Sequence, residues 1–154
     1  MRLMLIAALA LSCCACAEEG TDILDVVYTY AADHASEFVE YYNQKAEHKI
    51  PAPSKNRYDI KMFESRSALL SAYFEVNPNA EKLYDRVRDG LVAFCWHSEK
   101  KICLYRASSD DLVHEIGHML WPDDVLTDNQ DPRRGEIVAD AFLNYIRKRA
   151  KRAK

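Results

Sequence analysis

Two hydrophobic periods alternate along the chain and divide it into elements. Tyr58, Ile60 and Met62 alternate with Asp59 and Lys61, the pattern of a half-buried strand. Residues 25–32 (DVVYTYAA) are apolar with β-branched residues at their start and predict another short strand. Phe38, Val39, Tyr42 and Ala46 fall at helical spacing, so a helix is expected from a cap at Asp33 toward Lys49, ended by Pro51 and Pro53. Ser65 caps the next helix, with Leu69, Leu70, Tyr73 and Phe74 facing inward, and Asn77-Pro78-Asn79 breaks it. Ala80, Leu83, Tyr84 and Val87 predict a further helix closed by Asp89-Gly90. Apolar runs at 91–97 and 101–106 flank a polar middle and predict a hairpin. Ser108, Ser109 and Asp110 are capping residues for a helix that Pro122 stops after Trp121, and a last helix starts near Pro132 with Asp131 as its cap. Strands and helices in this mixed order predict an α+β fold with a short twisted sheet.

The first 17 of the 154 residues do not share this patterning. Arg2 precedes an apolar run over 3–11, then small residues and Ala15-Cys16-Ala17, which has the form of an export signal with an A-x-A cleavage site. The run is too short to cross a bilayer as a helix. Ala10-Leu11-Ser12-Cys13 also resembles a bacterial lipobox, which would attach lipid at Cys13. A buried N-terminal helix, the remaining alternative, would need a second apolar partner. An exported protein, periplasmic or secreted and either free or lipid-anchored, is therefore expected. Residues 18–146 then form one domain and 147–154 a basic tail.

Loss of residues 1–17 removes only Arg2 from the cations, leaving 20 Lys plus Arg against 24 Asp plus Glu. That balance gives no basis for a nucleic-acid partner. Arg147, Lys148, Arg149, Lys151, Arg152 and Lys154 nevertheless crowd the last eight residues. They read either as a helix end whose cations suit the helix dipole or as a tether to anionic lipid or cell wall. Oligomeric state is not legible. Cys95 and Cys103 are the two cysteines beyond the signal, and an even pair in an exported chain predicts a disulfide across the hairpin. A second metal site built from Cys95, His97 and Cys103 would lack a fourth ligand.

The chemistry concentrates in His114-Glu115-Ile116-Gly117-His118. On a helix, residues four apart are offset by about 40° around the axis and about 6 Å along it, so His114 and His118 reach one cation. Glu115 points about 100° away, toward the position a metal-bound water would take. A hydrolytic zinc site needs a third protein ligand. Asp124 is near in sequence but follows Trp121-Pro122, where the chain lacks freedom for a sharp turn. Glu136 on the last helix is the better choice. If the two helices run antiparallel, Glu136 sits opposite His118, and Asp140 comes level with His114, where it accepts the free ring N–H.

His114-Glu115-Ile116-Gly117-His118 followed by Glu136-x-x-Ala139-Asp140 resembles the gluzincin branch of zincin metallopeptidases, particularly the minigluzincins and the ImmA/IrrE-like peptidase domain. The resemblance covers about residues 91 to 146. It implies a small zincin-like domain in which the hairpin packs on the HExxH helix and the C-terminal helix supplies the third ligand. It further implies Zn²⁺ held by His114, His118 and Glu136, Glu115 as general base, and Asp140 supporting a histidine. The function implied is an exported zinc-dependent endopeptidase acting on peptide or protein substrates. The alternative is a non-catalytic zinc-binding or interaction domain of the cell envelope. No motif identifies the family's additional catalytic donor; Tyr105, His97 and Tyr145 are the candidates. An extended substrate is expected to add as a strand to the hairpin edge.

Overall fold

The structure, a computed structural model, describes residues 17–78, 80, 90–122, 124–126 and 133–152, with side chains from Ile23 onward. The export signal and lipobox, the helix expected over 80–87, most of the acidic loop before the last helix, and the cap Asp131 lie outside the described residues. Two helices open the fold, α1 (Ala17–Asp33) and α2 (Ala35–Lys45). After them come β1 (Asp59–Met62), α3 (Arg66–Val76), β2 (Ala93–Trp96), β3 (Lys101–Leu104), α4 (Ser109–Leu120) and α5 (Arg134–Arg152). The fold is α+β, with five helices and one three-stranded sheet among the described residues.

The strand expected over 25–32 is helix α1. Val27, Tyr28 and Ala31 are buried there, and Ala35 and Phe38 continue the row on α2. That helical spacing lets the segment lie along α4, and packing overrides the weak β preference of Val26 and Val27. α2 is shorter than expected, ending at Lys45 with Ala46 in extended conformation, well before the prolines. α3 begins after Ser65, whose hydroxyl accepts from the Ala68 N–H at 3.2 Å.

β1 pairs in parallel with β3, and β2 antiparallel with β3, giving the order β1-β3-β2. Side-chain alternation sorts the sheet into two faces. Ala93, Cys95, Ile102 and Leu104 pack toward α1, α4 and α5, whereas Phe94 and Cys103 pack with Leu69 and Ala72 of α3. This sorting overturns the expected disulfide. Cys95 pairs with Ile102 and Cys103 with Phe94, so the two cysteines are one register step apart and project from opposite faces. Both are free thiols, and no rotamer change brings such positions to bonding distance. The same geometry removes the Cys95, His97, Cys103 metal site.

Helices α4 and α5 are clamped at one end by three aromatic rings. Phe38, Trp121 and Phe142 meet edge-to-face at centroid distances of 5.2–5.4 Å, and all three are fully buried. The segment after α2 straps this end through three hydrogen bonds. Trp121 Nε1 donates to the Pro51 carbonyl at 3.0 Å, the Ser54 N–H to that of Leu120 at 2.9 Å, and buried Arg134 to that of Lys49 at 2.9 Å. At the far end the helix runs through Arg152, in keeping with the reading of the C-terminal cations as a helix end. Arg147 pairs with Asp110 at the start of α4, and Arg149 with Glu37 on α2, which extends the docked length of α5.

Candidate metal centre

α4 starts on a reciprocal cap in which the Ser108 hydroxyl accepts from the Asp111 N–H at 3.2 Å and Asp111 accepts from the Ser108 N–H at 2.6 Å. Its register then presents His114 and His118 on one side, with Nε2 atoms 3.1 Å apart. From α5, Glu136 lays one carboxylate oxygen 3.3 Å from His114 Nε2 and the other 3.4 Å from His118 Nε2. Asp140, one turn on, places Oδ1 3.1 Å from His114 Nδ1. His114, His118 and Glu136 form the one group among the described residues able to hold a metal ion, with ligand atoms all within 4.8 Å of one another. Asp124 is not part of it.

Close approach of the two helices produces this convergence, and Gly117 permits it. A Cβ there would lie 2.8 Å from the Ala139 Cα and 3.0 Å from its Cβ, distances no real methyl tolerates. Glycine costs about 1 kcal/mol of helix propensity relative to alanine, and the cost is met because the backbones touch at the level of the metal-binding residues.

The charges of the cluster are mutually adapted. Hydrogen bonds to His114 and then to His118 hold the Glu136 carboxyl far below the ordinary carboxylate range, against the effect of burial. His114 is raised above the usual imidazole value, first by its bond to Glu136, with burial opposing. For His118 burial is the largest influence and acts downward, yet the bond to Glu136 and the charges of Glu115 and Glu136 leave it raised. Glu115 is buried, with 8 % of its surface exposed. Burial pushes its carboxyl up, while the charges of His118 and His114 pull down.

Of the donors suggested by sequence, Tyr145 bonds to Glu37 and stacks near Phe38 and Tyr41, and Tyr105 lies under Arg106. His97 sits 3.0 Å from the Tyr58 hydroxyl. Tyr73 on α3, which the sequence marks only as an inward-facing core position, has a hydroxyl whose titration is shifted upward. Burial raises it first, and the charges of Glu136 and Glu115 raise it further. Its ring is wedged edge-on against Phe74 at 5.7 Å and Phe94 at 5.4 Å. A helical hydrophobic period cannot distinguish a tyrosine kept for its ring from one kept for its oxygen, so the sequence carried no signal for it. Comparison with family models, curated proteins and solved structures returns no match.

Proposed function

We propose that the chain is a zinc-dependent peptide hydrolase of the gluzincin kind, exported from the cell. The observation that carries this reading is the spacing of the three side chains. A tetrahedral zinc ion with bonds of about 2.0–2.1 Å separates its donor atoms by about 3.3 Å. The closest approaches in the cluster are of that size, 3.1 Å between the two imidazole Nε2 atoms, 3.3 Å from His114 to one Glu136 oxygen and 3.4 Å from His118 to the other, and one donor atom from each residue lies within 4.8 Å of the rest. Two imidazoles and one carboxylate make the donor set of an open catalytic site. When bound, the ion would supply Lewis acidity that acidifies a water and polarises a carbonyl.

The chain's own residues do the rest. Asp140 fixes the His114 ring by accepting from Nδ1, leaving Nε2 free for the metal. Glu115, buried beside both histidines with its carboxyl raised, takes a proton from the attacking water and returns it to the leaving amine. Tyr73, whose hydroxyl is raised by burial and by the charges of Glu136 and Glu115, is the candidate donor to the charge developing on the substrate oxygen.

Substrate enters along β2, which has β3 as its partner on one side. Because the Val92 carbonyl accepts from the Tyr105 N–H, alternation turns the backbone groups of Ala93 and Cys95 to the opposite edge, where no described strand pairs with β2. A peptide strand added there lies beside the turn of α4 that bears Glu115. Peptides N-methylated across the pairing segment should show a raised KM; equal KM for methylated and unmethylated forms would remove the strand-addition step.

Glu115→Gln is expected to abolish turnover while metal remains bound, and Glu136→Ala to lose the metal, both read by elemental analysis beside a peptidase assay. A Glu115→Gln protein as active as the parent would defeat the enzyme reading and leave a non-catalytic metal-binding domain.

A further inference from the structure

Two cations near the end of α5 are satisfied within the fold, and their neighbours are not. Arg147 reaches Asp110 on α4, and Arg149 reaches Glu37 on α2 at 2.7 Å. Lys148, Lys151 and Arg152 are exposed and have no carboxylate partner among the described residues. The sequence holds no acidic residue after Asp140, so nothing on the last turns of α5 offsets them. Helical spacing sets Lys148 and Arg152 on the same side of α5 as Tyr145. Tyr145 in turn faces Tyr41 of α2 across a centroid distance of 5.3 Å. Lys45, one turn past Tyr41 and likewise without a carboxylate, holds its ammonium 4.2 Å from the Tyr41 ring. The two helices therefore gather unpaired cations around a pair of half-buried tyrosines. Lys45 first, and Lys148 and Arg152 behind it, draw the Tyr41 hydroxyl below its ordinary value, as one shared field would.

We infer that this end of the molecule, where α2 meets the last turns of α5, is a docking surface for a bilayer that contains anionic lipid. Charge complementarity selects the occupant. The chain is acidic as a whole, with a net charge of -3, so attraction to an anionic surface is confined to one end and orients the molecule upon it. A nucleic acid would need a continuous basic track along which its phosphates are met. Away from this end the chain offers an excess of carboxylates instead. The tyrosines add what lysines alone lack, apolar rings with polar tips that suit the depth of lipid headgroups. The ion pairs of Arg147 and Arg149 hold the presenting helix against α4 and α2, so the surface exists before binding and little ordering is required on contact. The inference is independent of the peptidase reading.

Cosedimentation with lipid vesicles tests it. Affinity is expected to be higher for vesicles of phosphatidylcholine mixed with phosphatidylglycerol than for phosphatidylcholine alone. The difference should close in about 1 M salt, where the screening length falls to about 3 Å. Lys148→Gln combined with Arg152→Gln should weaken binding to the anionic vesicles about 25-fold, at about fivefold for each cation. Lys55→Gln combined with Lys61→Gln removes the same charge from exposed positions elsewhere and should bind as the parent does. Because all four side chains are exposed, each double variant is expected to keep the parental Tm. Equal affinity for the two kinds of vesicle would overturn the inference. So would an equal loss in both double variants, which would reduce the effect to net charge. Retention of duplex DNA through Lys148 and Arg152, with no preference between the vesicles, would assign the surface to nucleic acid instead.

Discussion

Tyr73 and Glu115 show what a single side chain takes from its surroundings. Burial raises both groups, and in the proposed reaction they take opposite parts in a proton transfer. As the proposed general base Glu115 would accept, its raised carboxyl lying nearer the pKa of a metal-bound water. Tyr73 would donate, since burial and the charges of Glu136 and Glu115 raise its hydroxyl. Tyr73→Phe should therefore lower kcat by about 10–100-fold while metal content and KM hold steady, since the ring and its contacts with Phe74 and Phe94 survive. A steady-state assay on metal-replete protein decides it, and an unchanged kcat would remove Tyr73 from the mechanism. The clustering of these side chains was legible in the sequence because helical spacing alone brings His114 and His118 together, and one antiparallel neighbour supplies Glu136 and Asp140. Cys95 and Cys103 were misread for the opposite reason. Their pairing depends on hairpin register, and a one-residue offset moves a side chain through the sheet.

At the level of elements, the site depends on how near α4 and α5 approach, and Gly117 sets that distance. Gly117→Ala adds a methyl that must displace the Ala139 backbone. Helix propensity gains about 1 kcal/mol, whereas overpacking of this kind costs about 1–3 kcal/mol. A net loss of stability is expected, accompanied by a weaker affinity for metal because the histidines and Glu136 are pushed apart. Urea denaturation and metal titration measure the two effects, and tighter metal binding in the variant would contradict the close-approach argument. Elements whose signal is local were readable before the fold was known: the Ser65 and Ser108 caps, the hairpin, and the stop at Trp121-Pro122. α1 was not, because Val26 and Val27 favour a strand locally, and only its packing against α4 makes the helical row of Val27, Tyr28 and Ala31 worth burying. The C-terminal cations belong to the same lesson. Their charge pattern allowed a separate tail, but Asp110 and Glu37, remote in sequence, capture Arg147 and Arg149 and keep the helix docked.

For the molecule as a whole, a metal held by His114, His118 and Glu136 would compete with protons for one cluster that also joins two helices, so stability and binding should respond to pH in opposite senses. His114 and His118 are raised in the folded state. Their contribution is therefore complete below the ordinary imidazole value of 6.5 and is lost as pH rises through the raised values. Glu115, also raised, favours the fold while protonated and weakens it as pH climbs past its folded value. Glu136 is depressed and acts the other way, its contribution present above the ordinary carboxyl value of 4.5 and lost only in strong acid. From these groups, metal-free protein should lose Tm as pH rises above the ordinary imidazole value of 6.5. Binding reverses the trend, because imidazoles must shed their protons to act as ligands and affinity consequently grows with pH. At a thousandfold excess over Kd a metal adds about 4 kcal/mol, or about 8–16 °C for a domain of this size. The Tm increment produced by zinc should thus widen over the same interval in which the Tm of the chelated protein declines. Calorimetry at several pH values, with zinc and with chelator, tests both slopes. An increment independent of pH would mean that the ion is not bound through His114 and His118.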